Sequence, residues 1–399
     1  MSARVDVAVV GGGIVGLASA FRLLEARPDL EVVVLEREAE VGQGQSSRNS
    51  GVLHAGLYYP PGSAKARWCT AGKRELERFC ADHDVPVART GKVVAAVRRD
   101  ELPRLQGLAD RAHTNGVEVE RLGPTGVLDH EPNLRALAGL WSPSTAVTDF
   151  GAVCRALAER VRRDGGAVRT GTEVVGIEQR PDHVRLTTTS GDVEARTVVA
   201  CAGLQADRLA RLAGTGGRER IVPFRGSWLR LRDDRTDLVK GSIYPVPQPG
   251  LPFLGVHLTR RIDGQVWIGP NAVLALAREG RGPWSLNPGD LRDTLRFPGL
   301  YRLARREFGT AVAEVWRDRV VRATVREVQR YVPDVGLADV CRGPWGVRAQ
   351  LMEPTGDLVD DFRLRRDGRL LHVLNAPSPA ATASLAIGAE LRDQVLAQL

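Results

Sequence analysis

Apolar positions recur along this chain with two periods, and the switch between them predicts its elements. The run Val5, Val7, Ala8, Val9 and Val10 reads as a buried strand. Helical spacing then holds from Ile14 to about Ala26, and a second strand, Glu31–Leu35, ends at an acid, Glu36. A polar loop at 41–50 and a short strand at 51–54 come next. Pro61-Gly62-Ser63 starts a helix reaching Asp82. Lys92–Val97 predicts a strand and Glu101–Thr114 a helix stopped by Asn115-Gly116. Asp149 caps a helix over Phe150–Arg163. Strands follow at Ala167–Arg169, Glu173–Glu178, Val184–Thr188 and Val193–Ala200, then a helix at Ala206–Leu212. Beyond Val222 the pattern lengthens into alternating strands with proline joints at Trp228–Leu231, Ser242–Val246, Phe253–Thr259 and Gln265–Gly269. A helical stretch covers Asp290–Arg330. From Cys341 glycine turns and short strands return, and a helix from about Pro379 closes the chain.

The first turn carries chemistry. Gly11-Gly12-Gly13-Ile14-Val15-Gly16 fits G-x-G-x-x-G between a strand and a helix. Gly11 permits the tight turn, Gly13 lets amides approach a pyrophosphate, and Gly16 brings helix and strand together. Glu36 follows the second strand, where a carboxylate accepts hydrogen bonds from ribose hydroxyls and repels a 2′-phosphate. The chain therefore binds a dinucleotide. Its 399 residues suffice for two joined domains.

Composition narrows the class. The 43% hydrophobic and 26% charged residues are ordinary for a globular protein, and no run approaches the ~18 apolar residues of a membrane span. The N-terminal apolar run is the first strand of the nucleotide fold, not a signal peptide. Five scattered cysteines without a C-x-x-C pair predict reduced thiols, a cytoplasmic setting and no metal site. The net charge of +8 comes from arginines interleaved with acids, which excludes a nucleic-acid partner. It leaves weak attraction for anionic substrates, or for an acidic membrane face at the periphery.

Three later stretches favour FAD over NAD. Residues 46–59 are dense in hydrogen-bonding groups where an NAD half-fold would continue with a helix. Val198–Gly203 places a strand and a glycine where the adenine half of FAD is closed over. Asn375–Thr382 is a small-residue loop whose amides can face the N1–C2=O edge of a flavin. The predicted fold class is α/β, with a discontinuous Rossmann-type FAD-binding domain at 1–85, 150–220 and 340–399. Residues 86–149 and 221–339 form an α+β substrate domain on a mainly antiparallel sheet.

These stretches, with Arg67–Gly72, Val222–Gly226, Tyr244–Pro247, Phe253–Arg260, Ile268–Ala275, Gly346–Gln350 and Leu358–Phe362, resemble the L-2-hydroxyglutarate dehydrogenase/oxidase family over essentially the whole chain. That family belongs to the D-amino-acid oxidase group. The resemblance implies FAD, two domains and oxidation of an L-2-hydroxy acid, L-2-hydroxyglutarate to 2-oxoglutarate, by hydride transfer to flavin N5, with quinone or oxygen as electron acceptor. Implied FAD contacts are Gly11, Gly13, Ile14, Val15, Gly16, Glu36, Arg37, Ser47, Arg48, Asn49, Ser50, Val174, Ala202, Gly203, Arg348, Pro379, Ala380, Ala381 and Thr382.

A 2-hydroxy acid needs a cation for its carboxylate, a base for its hydroxyl proton and a hydride acceptor. Arg348 is the candidate clamp, and His54 and His257 compete as base. Arg225 is a second candidate for the distal carboxylate, though bracing of the flavin or the domain joint is the favoured reading for it. Asn271 and Gln350 are candidate donors. Four residues depart from the family pattern: Ser227 and Trp228 after Phe-Arg-Gly, Trp345 before Gly346, and Leu351 after Gln350. Bulk at the last two is expected to reshape the pocket. Competing readings are another 2-hydroxy acid or an amino acid as substrate, a flavin-binding redox protein without turnover, and an NAD-dependent dehydrogenase.

Overall fold

The computed structural model describes residues 4–248, 255–280 and 282–399. Its first sheet grows from the opening apolar run. Arg4–Val10 pairs in parallel with Val32–Leu35 on one side and Val193–Ala200 on the other. Ala167–Arg169 and Leu370–Asn375 extend the parallel set at its two ends. Two-residue periodicity buries both faces. Val7, Val9, Val32 and Val34 enter one apolar cluster, while Ala8, Val10, Val33 and Leu35 enter another. Helices Ile14–Ala26, Phe150–Arg163 and Ser384–Leu396 supply the first cluster's other wall. Asp149 caps the middle one through the Gly151 amide at 2.8 Å, as its sequence position predicts.

Among the described residues the second sheet has nine strands. Its order places Lys92–Ala96 beside Ser242–Pro245, then His257–Arg260, Val266–Gly269 and Arg220–Leu231. Apart from the parallel pair of Lys92–Ala96 with Ser242–Pro245, the pairings are antiparallel. Helices Pro288–Leu295, Pro298–Arg306, Phe308–Arg319 and Val321–Val328 fill the predicted helical stretch.

Two strands are longer than the sequence pattern predicts. Arg220–Leu231 replaces the expected Trp228–Leu231, and Val340–Met352 replaces the expected short pieces. They run antiparallel along almost their full length, from Arg220 opposite Met352 to Leu231 opposite Val340. Pro223, Gly226, Pro344 and Gly346 break the alternation and read as joints. The structure keeps the ladder through them, with a register shift between Ser227 and Leu229. Val340–Met352 lies in the second sheet, so the chain re-enters the first sheet at Arg363–Asp367 and its parallel set at Leu370–Asn375. The closing helix starts at Ser384, after turns at 378–383. For the strand expected at Phe253–Thr259, Phe253 and Leu254 lie outside the described residues; the strand spans His257–Arg260. Among the described residues no helix is long and apolar enough to cross a membrane.

Candidate active site

The parallel strands share one exit. Val10, Leu35, Ala200 and Asn375 are their last residues, and the loops beyond them open onto a single cavity of about 1610 Å³. This is where an open α/β sheet binds its ligands. The second sheet closes the far side with Phe224, Trp228, Tyr244, His257 and Arg348. One cavity therefore joins the glycine turn to the candidate reaction residues.

At the nucleotide end, Gly11 has a φ of +112°, and a Cβ there would stand 2.4 Å from the Cys201 carbonyl oxygen. A Cβ on Gly16 would stand 2.0 Å from the Gly11 oxygen, so the helix sits against the turn only because both are glycines. Gly13, at the N-cap, has no side chain of its own to close the helix, whose positive end lies on the cavity. Glu36 is held by the amides of Gly12 at 2.6 Å and Glu38 at 2.9 Å, and faces the cavity. Arg37 is also on the wall, ion-paired with Glu279.

Of the polar loop, Arg48, Asn49 and Ser50 line the cavity. Asn49 folds the loop on itself, donating to Ser46 O at 2.7 Å and accepting from the Gly51 amide at 2.9 Å. Ser47 does not line it; its hydroxyl donates to the Gly42 carbonyl. Its neighbour Ser46, missed by the sequence reading, lines the cavity and accepts the Ile14 amide at 3.0 Å. Tracing which of two adjacent serines turns inward needs the loop's backbone, which no periodicity reports. Val174, Ala202, Gly203, Pro379, Ala380, Ala381 and Thr382 all reach the wall. Thr382 accepts the His54 amide at 3.1 Å, tying the two loops together.

At the reaction end, His257 is buried, and its Nδ1 lies 3.0 Å from the Gly255 carbonyl. A carbonyl only accepts, so Nδ1 carries the proton and Nε2 is the basic nitrogen. Burial pushes the His257 pKa down to about 3 against the Gly255 hydrogen bond, with Arg348 and Lys92 adding to the fall. Burial likewise takes His54 down to about 3, helped by Lys92 and His257. His54 Nδ1 has no hydrogen-bond partner among the described residues, and its Nε2 lies 3.5 Å from the Ser378 hydroxyl. Both imidazoles are thus neutral at neutral pH, the form that accepts a proton. Desolvation lowers Arg348 to about 10 while Glu314 and Tyr244 oppose the shift, so its guanidinium stays charged.

Two candidate residues, Arg225 and Asn271, lie off the cavity wall. Arg225 is buried, pairs with Asp318, donates to the Pro283 carbonyl and is absent from the cavity wall. Asn271 spends both amide atoms locally, accepting from the Ser227 amide at 2.7 Å and donating to Asp318 at 2.7 Å. Together they fasten the helix Phe308–Arg319 to the second sheet, which is bracing. Gln350 lines the cavity and donates to Val359 O at 3.0 Å. The departures also divide. Trp228 and Trp345 face the cavity, whereas Ser227 does not, and Leu351 is buried among Leu204, Ala210, Ile221 and Leu374. Tyr58 and Tyr244 line the wall without having been singled out from sequence. Their signal was there, in Tyr58-Tyr59 and Tyr244-Pro245, inside the stretches that carry the resemblance.

These residues fit FAD: a glycine cradle that a Cβ would fill, a helix N-terminus on the cavity wall, an acid beside it and a cavity continuing to the second sheet. A family model described as FAD dependent oxidoreductase matches residues 6–394. The mitochondrial L-2-hydroxyglutarate dehydrogenase of Caenorhabditis elegans is 42% identical over 404 residues, covering 98% of this chain and 93% of that protein. The human mitochondrial enzyme of the same name is 41% identical over 408 residues, covering 98% and 88%. L-2-hydroxyglutarate dehydrogenase of Escherichia coli K12 is 38% identical over 391 residues, covering 98% and 93%. In fold the chain is similar to FAD-bound L-alpha-glycerophosphate oxidase from Mycoplasma pneumoniae, with a TM-score of 0.78, 20% identity and 99% and 95% of the two chains covered. It is also similar to glycine oxidase from Geobacillus kaustophilus, with a TM-score of 0.73, 19% identity and 98% and 95% covered. From the glycine turn to the closing helix, the chain belongs to the FAD dependent oxidoreductase family.

Proposed function

We propose that this protein oxidises L-2-hydroxyglutarate to 2-oxoglutarate. The observation that carries the reading is the single cavity that holds the nucleotide turn, two neutral imidazoles and a charged guanidinium. The relatives named L-2-hydroxyglutarate dehydrogenase match along nearly their full length.

Bound FAD supplies the two-electron acceptor. Gly11, Gly13, Ile14, Val15 and Gly16 would hold its pyrophosphate, Glu36 its ribose, and Pro379–Thr382 its flavin edge. Arg348 receives the carboxylate next to the carbinol, since a guanidinium matches a carboxylate bidentately. A neutral imidazole takes the hydroxyl proton as the carbinol carbon gives up its hydride, and a C=O bond replaces the C–H and O–H bonds. His257 offers Nε2 in a fixed tautomer; His54 offers an unpartnered Nδ1. The two separate kinetically. Loss of the base should slow flavin reduction by roughly 10²–10⁴-fold and remove an ionisation from the pH–rate profile.

Trp228 and Trp345 on the cavity wall favour a second reading, the same chemistry on a different 2-hydroxy acid. Anaerobic mixing with a panel of L- and D-2-hydroxy acids and amino acids decides. Fastest bleaching of the flavin by L-2-hydroxyglutarate supports the first reading. Faster bleaching by another hydroxy acid supports the second, and bleaching by none rejects both.

Electrons then leave to quinone or oxygen, which reoxidation by each acceptor tells apart. The helices Pro298–Arg306 and Phe308–Arg319 rim the cavity and expose Tyr301, Phe308, Val312 and Trp316 beside Arg302, Arg305 and Arg306. That mixture suits peripheral contact with an anionic lipid surface. Flotation with anionic but not neutral vesicles is the expected result. Free thiols at Cys69, Cys80, Cys154, Cys201 and Cys341 suit a cytoplasmic location.

A further inference from the structure

A lysine stands behind the cavity wall, unused by the chemistry above. Lys92 opens the strand Lys92–Ala96 and is 0 % exposed. Its Nζ has no hydrogen-bond partner among the described residues. It lies 4.5 Å from the Tyr58 ring centroid and 5.0 Å from that of Tyr244. Tyr244 in turn stacks on the His257 ring at 4.1 Å. Tyr58, Tyr244, His54 and His257 face the cavity, and Lys92 is one layer further out.

The groups around it offer no anion at neutral pH. Cys69 faces it from the helix Ala64–Asp82, but burial pushes that thiol up to about 12. Burial also raises Tyr58, and takes Tyr244 to about 12. His54 and His257 are neutral, and Arg348, a neighbour of Tyr244 and His257, is a cation. Aromatic faces attract an ammonium, yet a desolvated cation without a counter-ion holds its proton weakly. Burial brings Lys92 down to about 7.

We propose that Lys92 is the titrating counter-charge of this cavity, taking up a proton when an anionic substrate binds in front of Tyr58 and Tyr244. The inference rests on the carboxylate-substrate reading and deepens it. Lys92 is a positioning residue that acts through the two rings. The proton comes from solvent onto the Nζ lone pair, and no substrate bond changes. With the site filled, Arg348 and Lys92 present two positive charges to a dicarboxylate. At alkaline pH the second charge must be regained from solvent, so affinity should fall by up to about tenfold per pH unit between the free-state pKa and the higher bound-state pKa.

The test uses the FAD-loaded enzyme and glutarate, a five-carbon dicarboxylate with no hydroxyl to oxidise. Calorimetric titration at pH 8, in buffers of different ionisation enthalpy, counts protons; the flavin absorbance change gives Kd. The wild type should take up approaching one proton per site. Lys92→Met should take up none, bind glutarate on the order of tenfold more weakly at pH 7, and lose the pH dependence of Kd. Lys92→Arg, which keeps the charge at every pH, should bind tightly without uptake; it carries the test alone if Lys92→Met does not retain FAD. No uptake by the wild type, or uptake that persists in both variants, overturns the proposal. Failure of glutarate to bind counts against the carboxylate reading as well, whereas binding with unaltered proton uptake counts against Lys92 alone.

Discussion

Two arginines that look alike in sequence separate once their neighbours are known. Arg348 faces the cavity, while Arg225 and Asp318 form a buried pair away from it. Removing one member of such a pair strands the other charge. Arg225→Ala should therefore cost about 3–5 kcal/mol in chemical denaturation. Arg348→Ala should leave stability and the flavin spectrum largely intact, and cut kcat/KM by roughly thirty-fold to several thousand-fold. Equal kinetic loss without destabilisation in Arg225→Ala would return it to the site. The histidines make a pH prediction. His257 titrates near 3 folded and near 6.5 unfolded, so below about 6.5 the unfolded chain binds a proton that the folded one refuses. Stability should fall by about 1.4 kcal/mol per pH unit for this group between those values. His257→Gln should flatten that slope, measured as Tm against pH. Residue types and their motifs were legible in the sequence. Which side chains would be consumed by partners was not, because Asp318 lies 93 positions from Arg225 and 47 from Asn271.

Elements explain why the site tolerates so little movement. The strand Val340–Met352 brings Gly346 against the polar loop, where a Cβ would stand 2.5 Å from the Arg48 carbonyl oxygen. Trp345 beside it packs under the Arg48 guanidinium, 5.2 Å from its ring centroid. Loop and strand thus meet at one glycine. Gly346→Ala should push the loop off, weakening FAD retention and substrate turnover together. Gel-filtered protein should show a reduced flavin-to-protein absorbance ratio and a raised KM; an unaltered ratio would mean the backbone yields without cost. The short parallel strands and the capped helices were readable from period and caps. The pairing of Arg220–Leu231 with Val340–Met352 was not, since prolines and glycines interrupt its alternation and the partners are over a hundred residues apart.

Over the whole molecule, segments from both ends and the middle of the chain converge on one cavity. Its nucleotide end comes from the parallel sheet, and its reacting end largely from the antiparallel one. That convergence was visible in outline, because strand-glycine signals stand at residues 10 and 200 and a small-residue loop follows 375. The effect of the departing residues was not visible. Leu351 is core, and Trp228 and Trp345 are the two departures that touch the cavity. Oxidation of L-2-hydroxyglutarate is therefore the proposal on which those two indoles bear. Single-turnover anaerobic reduction of the FAD enzyme by L- and by D-2-hydroxyglutarate, with 2-oxoglutarate quantified per flavin, tests this most directly. The expected result is rapid bleaching by the L form alone, with one 2-oxoglutarate formed per flavin reduced. A flavin that stays oxidised with the L form, or bleaches without 2-oxoglutarate, would contradict it.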